Sequence, residues 1–304
     1  QYVVEQMPPV TFTYSDFQPA QQRFQPINAK DRHLPAASLN DPNTALVDLM
    51  GNGLPDILQT HTMATRYWRN LGNAELDRPH QMHEAPAGLT IADPAVRFGD
   101  MGGDGLADLI VNRHPVQGFF ELRPEHENDG RLEAGWSDDS FRHYDNQPSI
   151  DLSNPSLRLV DLTGDGRADL LFITENELIW YQSLGERGFS PARHVLKPTG
   201  LDGLFFQDLH GRLRLADMTG DGLNDLVLLH NGRVDYWPNK GYGQFGRRLT
   251  LGSHGDTLLP TTFTPDRLFL ADLDGSGTAD LVYVDLNQVH FWLNQSGNHW
   301  GRKQ

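Results

Sequence analysis

Cysteine is absent from the 304 residues. That removes disulfides, thiol catalysis and structural zinc–cysteine sites, and it leaves the redox compartment open. Long apolar runs are absent too. None approaches the roughly 20 residues a helix needs to span a bilayer, so no membrane span is expected. No long amphipathic helical period and no low-complexity tract is present. Cations are scarce, with 25 lysines and arginines against 40 aspartates and glutamates and a formal net charge of −15. Such a chain offers no basic face to nucleic acid or to anionic lipid. The chain opens at Gln1 with no secretory apolar region, and the expectation is a fragment or processed product of something longer.

What the sequence has instead is a repeat. The stretch Asp272-Leu-Asp-Gly-Ser-Gly-Thr-Ala-Asp280 places oxygen-bearing side chains at positions 1, 3, 5 and 9, with glycines at 4 and 6. Glycine at position 6 permits a sharp turn that gathers those oxygens. Oxygen-only donors on a short loop suit a hard cation such as calcium. Four further copies start at Asp48, Asp100, Asp161 and Asp217, and the five first aspartates are 52, 61, 56 and 55 residues apart. An apolar or half-apolar pair precedes each loop, taken as Leu46-Val47, Arg97-Phe98, Leu159-Val160, Leu215-Ala216 and Leu270-Ala271. An apolar run follows each and reads as a buried strand.

A second register runs beside the first. Eleven residues past each closing aspartate stands an aromatic pair: Tyr67-Trp68, Phe119-Phe120, Trp180-Tyr181, Tyr236-Trp237 and Phe291-Trp292. Neighbouring strand residues point to opposite faces, so such a pair fills the space on both sides of its sheet. Each unit thus reads strand, loop, strand, hairpin turn and aromatic strand, with a less regular segment able to supply a fourth strand. Repeated units of this kind point to a radial arrangement of sheets. The expected fold is all-β, a β-propeller with five motif-bearing four-stranded blades, and the count admits six. Residues 45–304 form the five-repeat propeller. Residues 1–44 supply a closing strand, Pro8 to Tyr14, and a linker or degenerate blade.

Charge follows the loops. Their positions hold 14 of the aspartates, so up to five bound divalent ions would remove most of the acidity. The candidate ligands are Asp272, Asp274, Ser276 and Asp280; Asp161, Thr163, Asp165 and Asp169; Asp217, Thr219, Asp221 and Asp225; Asp100, Asp104 and Asp108; and Asp48, Asn52 and Asp56. Position 3 carries Thr163 or Thr219 in two copies and the non-ligands Gly102 and Met50 in two others, so the 272–280 loop is expected to bind best. The competing reading is a metal-free turn whose aspartates cap backbone N–H groups.

The Asp-x-x-Gly-Asp-Gly-x-x-Asp loop resembles the FG-GAP or VCBS repeat of integrin-like propellers. A longer likeness, Leu268 to Leu281 with Leu293 to Asn298 and the lead-in Pro9 to Tyr14, is similar to the propeller of the B component of insecticidal Tc toxins and of SpvB-like virulence proteins. The resemblance implies a secreted, non-enzymatic module of a larger chain. That module would dock on the channel of the A component and gate the exit of a toxic enzyme held in an Rhs-type shell with the C component. The alternative is a stand-alone calcium-dependent adhesion or carbohydrate-binding propeller, recognisable by a like pattern of solvent-facing aromatics in each blade.

Enzymatic signals are weak. Glu175-Asn-Glu177 has the spacing of an ADP-ribosyltransferase pair but falls at an expected hairpin. The cluster His80 to Glu84 lacks the spacing of a zinc helix and reads as a solvated loop. Gly252-Ser-His-Gly255 falls one residue short of a nucleophile elbow. The sequon Asn294-Gln-Ser296 belongs to the end of an aromatic strand. Two irregular inserts, 123–154 and 242–265, are expected on the rim, where Trp136, Phe141 and Tyr144, ringed by Glu125, Glu127, Asp129, Asp138 and Asp139, would anchor a partner.

Overall fold

The computed structural model describes residues 17–304 apart from 19–20, 22, 24, 31–32, 62–63, 83, 114–115, 127–131, 147–149, 203, 205, 207–211, 231 and 254–262. The expected closing strand Pro8 to Tyr14, His83, Glu127, Asp129 and the His-Gly end of Gly252–Gly255 lie outside these residues. Every regular element described is a strand or a three-residue 3-10 turn. No helix among the described residues is long and apolar enough to cross a membrane.

Five sheets carry the five loops, antiparallel except where His299–Trp300 pairs in parallel with Gly252–Ser253 at the edge of the fourth. The first blade runs Thr44–Val47, Asp56–His61, Ala64–Trp68 and His80–Gln81. The second runs Val96–Gly99, Asp108–Arg113, Val116–Phe120 and Phe141–His143. The third comprises Leu157–Val160, Asp169–Ile173, Glu177–Tyr181 and Arg193–Leu196. The fourth comprises Leu213–Ala216, Asp225–His230, Arg233–Trp237 and Leu249–Ser253. The fifth has Leu268–Ala271, Asp280–Val284 and Val289–Trp292, and Gln304 exchanges backbone hydrogen bonds with Phe291 of its outer strand at 3.0 and 3.3 Å. In every blade the loop joins the first strand to the second, and its closing aspartate is the first residue of the second strand.

The core explains why these strands lack polar faces. It is divided among the junctions between successive blades, one apolar cluster to each. The fourth blade shows the alternation plainly. Leu226, Leu228 and Trp237 pack toward the third blade, whereas Val227, Leu229 and Tyr236 pack toward the fifth. A period of two in the side chains, with both faces apolar, is what a sheet wedged between two others requires. The aromatic register has this cause, and Trp180, Trp237 and Trp292 are at most 3% exposed.

The junction between the fifth blade and the first is built differently. Ile57 and Trp68 of the first blade cluster with Leu76, and Ala29 packs against them. Residues Asn28–Ala29 pair in parallel with Glu75–Leu76, and the indole of Trp68 donates to the carbonyl of His33 at 2.7 Å. Phe17 meets the edge of Phe291 with ring centroids 6.1 Å apart. The whole is a six-blade β-propeller, and five of its blades carry the motif.

Two expectations are corrected here. The pair in register before the second loop is Phe98-Gly99, not Arg97-Phe98, since Gly99 pairs with Asp108 as Val160 does with Asp169. Glycine suits that place because a Cβ there would lie 3.0 Å from the Cβ of Ala168 in the next blade. The 123–154 stretch is also no irregular rim loop. It holds a hairpin, Arg123–His126 with Leu132–Gly135, and the fourth strand of the second blade. Its aromatics face inward: Trp136 is 1% exposed, and its indole donates to the carbonyl of Ala107 at 3.1 Å. Phe141 packs on Phe120, and Tyr144 stacks on Phe119. Trp136 and Tyr144 are core, and Phe141 is half-buried against it. Asp138 and Asp139 do stay exposed.

Candidate metal loops

The local geometry of the five loops is one design. Glycines at positions 4 and 6 adopt left-handed backbone in all five, with φ between 64° and 85°. The first aspartate then turns inward. Asp217 accepts the N–H groups of Thr219, Gly220 and Gly222 at 3.1, 2.7 and 2.7 Å. Asp161 does the same for Thr163, Gly164 and Gly166, and Asp100 for Gly103, Asp104 and Gly105. Asp48 serves Asn52 and Gly53, and Asp272 serves Gly275, Ser276 and Gly277. Position 5 caps the N–H two residues on through Asn52, Asp104, Asp165 and Asp221. Ser276 turns its hydroxyl to that of Thr278 at 2.9 Å as well.

The closing aspartates are buried. Asp56, Asp169, Asp225 and Asp280 are fully buried and Asp108 is 3% exposed. In each, one oxygen accepts the N–H at loop position 2, from Leu49, Met101, Leu162, Met218 or Leu273. The other accepts an N–H fourteen residues further on, from Asn70, Leu122, Ser183, Asn239 or Asn294, at 2.7–3.0 Å. The carboxylate therefore bolts the loop to the end of the aromatic strand. Burial pushes its pKa up, against the two N–H donors and with help from the other loop carboxylates: to about 6 in Asp108 and Asp225 and about 7 in Asp169. Asp56 and Asp280 shift the same way.

Three carboxylates converge in one loop only among the described residues. An oxygen each of Asp272, Asp274 and Asp280 lies within 4.8 Å of the others. Such a donor set fits a hard divalent cation. The other four loops lack a carboxylate at position 3 and bring no such trio together. Thr163 spends its hydroxyl on Asp161 at 3.4 Å. The aspartates thus cap backbone N–H groups in all five loops, and the 272–280 loop gathers a trio of carboxylates besides.

The remaining sequence signals resolve into structure. Glu175 and Asn176 sit in the turn ahead of the strand that begins at Glu177, and Glu177 meets His194 at 3.1 Å. His80 stacks on Tyr67 and approaches Asp77. Asn294 is 3% exposed and donates to the carbonyls of Met218 and Ala279, so its amide is no glycan acceptor in the folded chain. Sequence reasoning passed over one recurrent feature, the arginines of the inner strands. The repeated tripeptide Leu-Arg-Leu at 157–159 and 213–215 was the available signal.

Comparison with known proteins accords with this architecture. A family model described as an FG-GAP-like repeat matches residues 48–111 and 217–283. The chain is similar to the Tc holotoxin pore of Photorhabdus luminescens, with 29% identity and a TM-score of 0.67, the match covering 87% of this chain and 12% of that one. It also shares its fold with an Agrocybe aegerita lectin specific for non-reducing terminal N-acetylglucosamine, at 19% identity, a TM-score of 0.50, and coverage of 86% and 64%. No curated protein matches the sequence. The chain is a six-blade β-propeller that carries FG-GAP-like repeats, and its structure is similar to part of a Tc toxin.

Proposed function

We propose that this chain is the docking and gating propeller of a Tc-type toxin. It would bind the channel of the A component and control release of an enzyme enclosed by the remaining B and C segments. The observation that carries the reading is the likeness to the Tc holotoxin pore over 87% of the chain. The chain spans 12% of that relative, so the shell, the cargo, secretion and virulence all belong to the proposal. The role is non-enzymatic: the propeller binds, aligns and opens. Its blades are unequal, and the hairpin Arg123–Gly135 is an elaboration of the second blade only among the described residues. Unequal rims suit a partner-specific surface better than repeated sugar sites. The repeated aromatics are spent in the junction cores instead of facing solvent as a lectin would need.

Calcium at Asp272, Asp274 and Asp280 would serve as a structural ion in this role. It would neutralise crowded carboxylates and hold the fifth blade's loop. The test is interferometry between the immobilised chain and a purified Tc A component. Saturable binding at micromolar concentration supports the reading. No binding to the A component, together with retention on an N-acetylglucosamine matrix, would replace it with the lectin alternative.

A further inference from the structure

The inner strands of the second, third and fourth blades carry arginine at one register position. Arg97, Arg158 and Arg214 each stand three residues before a loop's first aspartate. The first and fifth blades have Ala45 and Phe269 there. Each guanidinium crosses a blade junction to a carbonyl that leads into the next inner strand. Arg97 donates to Leu152 at 3.2 Å, Arg158 to Phe206 at 3.3 Å and Arg214 to Pro265 at 3.3 Å. All three are half-buried. No carboxylate of the described residues pairs with any of them, although the chain has 40 acidic residues against 25 basic ones. Arg158 lies instead over the ring of Phe206, 4.7 Å from its centroid.

The three also feel one another. Burial first, then Arg214 and Arg97, pull the pKa of Arg158 down. The shared register, with each guanidinium reaching a carbonyl that leads into the next blade, sets the three in series around one edge of the ring. The carbonyls fix each guanidinium plane yet use only part of its five donors. A fixed, partly unsatisfied guanidinium fork matches a carboxylate in two-point geometry.

We propose that Arg97, Arg158 and Arg214 form an axial arc that binds carboxylate-bearing, extended polypeptide inside the propeller channel. The idea rests on the gating reading for its purpose, since a gate needs something to hold at its axis, but its binding test needs no A component. Strand rise puts the arc about 10 Å inside the ring of loop aspartates. That acidic mouth disfavours a long uniform polyanion such as nucleic acid. A polypeptide with acidic residues spaced among neutral ones passes the mouth and engages the arc.

The probe is a short fluorescein-labelled oligoglutamate interspersed with serine, titrated with the full chain at low salt and read by anisotropy. Saturable binding is expected, weakened roughly tenfold or more when Arg97→Gln, Arg158→Gln and Arg214→Gln are combined. The matching triple Lys variant keeps most of the affinity, because charge is retained. Arg193→Gln, on an outer strand, serves as a control and leaves it unchanged. Should the triple Gln variant fail to fold, a photo-crosslinking version of the peptide on the unaltered chain decides the matter. Adducts on the inner strands support the arc, and adducts confined to the outer rim overturn it. Absence of saturable binding, equal binding of oligolysine, or tighter binding of an oligothymidylate would each overturn the proposal. If A-component docking fails while oligoglutamate binding holds, the gating reading falls and the arc stands.

Discussion

The carboxylate of Asp225 accepts the backbone N–H of Asn239, fourteen residues along the chain, at 2.7 Å. Its second oxygen takes the N–H of Met218 at 3.0 Å. One buried side chain thus ties the start of a loop to the end of the third strand, and each of the five motif blades repeats the tie. Removing it leaves two buried N–H groups without acceptors, each costing about 1–3 kcal/mol. Asp225→Ala should therefore lose about 2–5 kcal/mol in urea unfolding. Asp221→Ala, which frees one exposed N–H of Leu223, should stay within about 1 kcal/mol in calcium-free buffer. Equal effects from the two variants would contradict the bolt.

Stability should fall as pH rises in the absence of calcium. Asp108, Asp169 and Asp225 have pKa values pushed up from 3.8 to about 6, 7 and 6 in the folded chain. Between those limits the folded state binds more protons than the unfolded one, so the free energy of unfolding decreases with pH. The stabilisation is full below pH 4 for these groups and is lost as pH rises through about 6 for Asp108 and Asp225 and about 7 for Asp169. Other carboxylates titrate in the lower part of the window, so the sign is clearest between pH 5 and 7. Melting temperature in chelator-treated buffer should decline over that interval. A rise would mean that the two N–H donors outweigh burial.

Calcium should act through one loop before the others. Only Asp272, Asp274 and Asp280 gather three carboxylates among the described residues, so titration calorimetry should resolve one dominant site of roughly 10⁻⁴–10⁻³ M. An ion that binds only the folded state raises the melting temperature by mass action. Asp274→Ala should abolish that rise while sparing the caps made by Asp272 and the bolt made by Asp280. An unchanged calcium response in Asp274→Ala would place the ion elsewhere.

Truncating junction aromatics should cost stability. Trp237 is fully buried between the third and fourth blades, and Trp136 is buried within the core shared by the first and second. Trp237→Ala and Trp136→Ala should each lose roughly 3–5 kcal/mol in chemical denaturation. Deleting residues 125–140 should unfold the second blade and not merely trim a rim. A deletion variant that melts like the intact chain would restore the docking-loop picture.

The sequence by itself determined the local units. Glycine and aspartate at fixed offsets force a turn, apolar runs on either side force strands, and the aromatic pair marks the strand wedged between two sheets. These choices involve backbone torsions and side-chain alternation within about twenty residues, so Asp161 to Tyr181 carries nearly a whole blade in its own pattern. The tertiary structure decided what partners those residues meet. It buried Asp169 as the acceptor for Leu162 and Ser183, because the loop closes onto a strand end. It sent Trp136 into the core between two blades, where its indole finds the carbonyl of Ala107. It also set Arg97, Arg158 and Arg214, 61 and 56 residues apart, in one register, each donating to a carbonyl that leads into the next blade. Spacing along the chain records a repeat. Which charges face one another depends on how the repeats converge, and that is fixed only when apolar faces of successive sheets close on each other and set the radius of the ring.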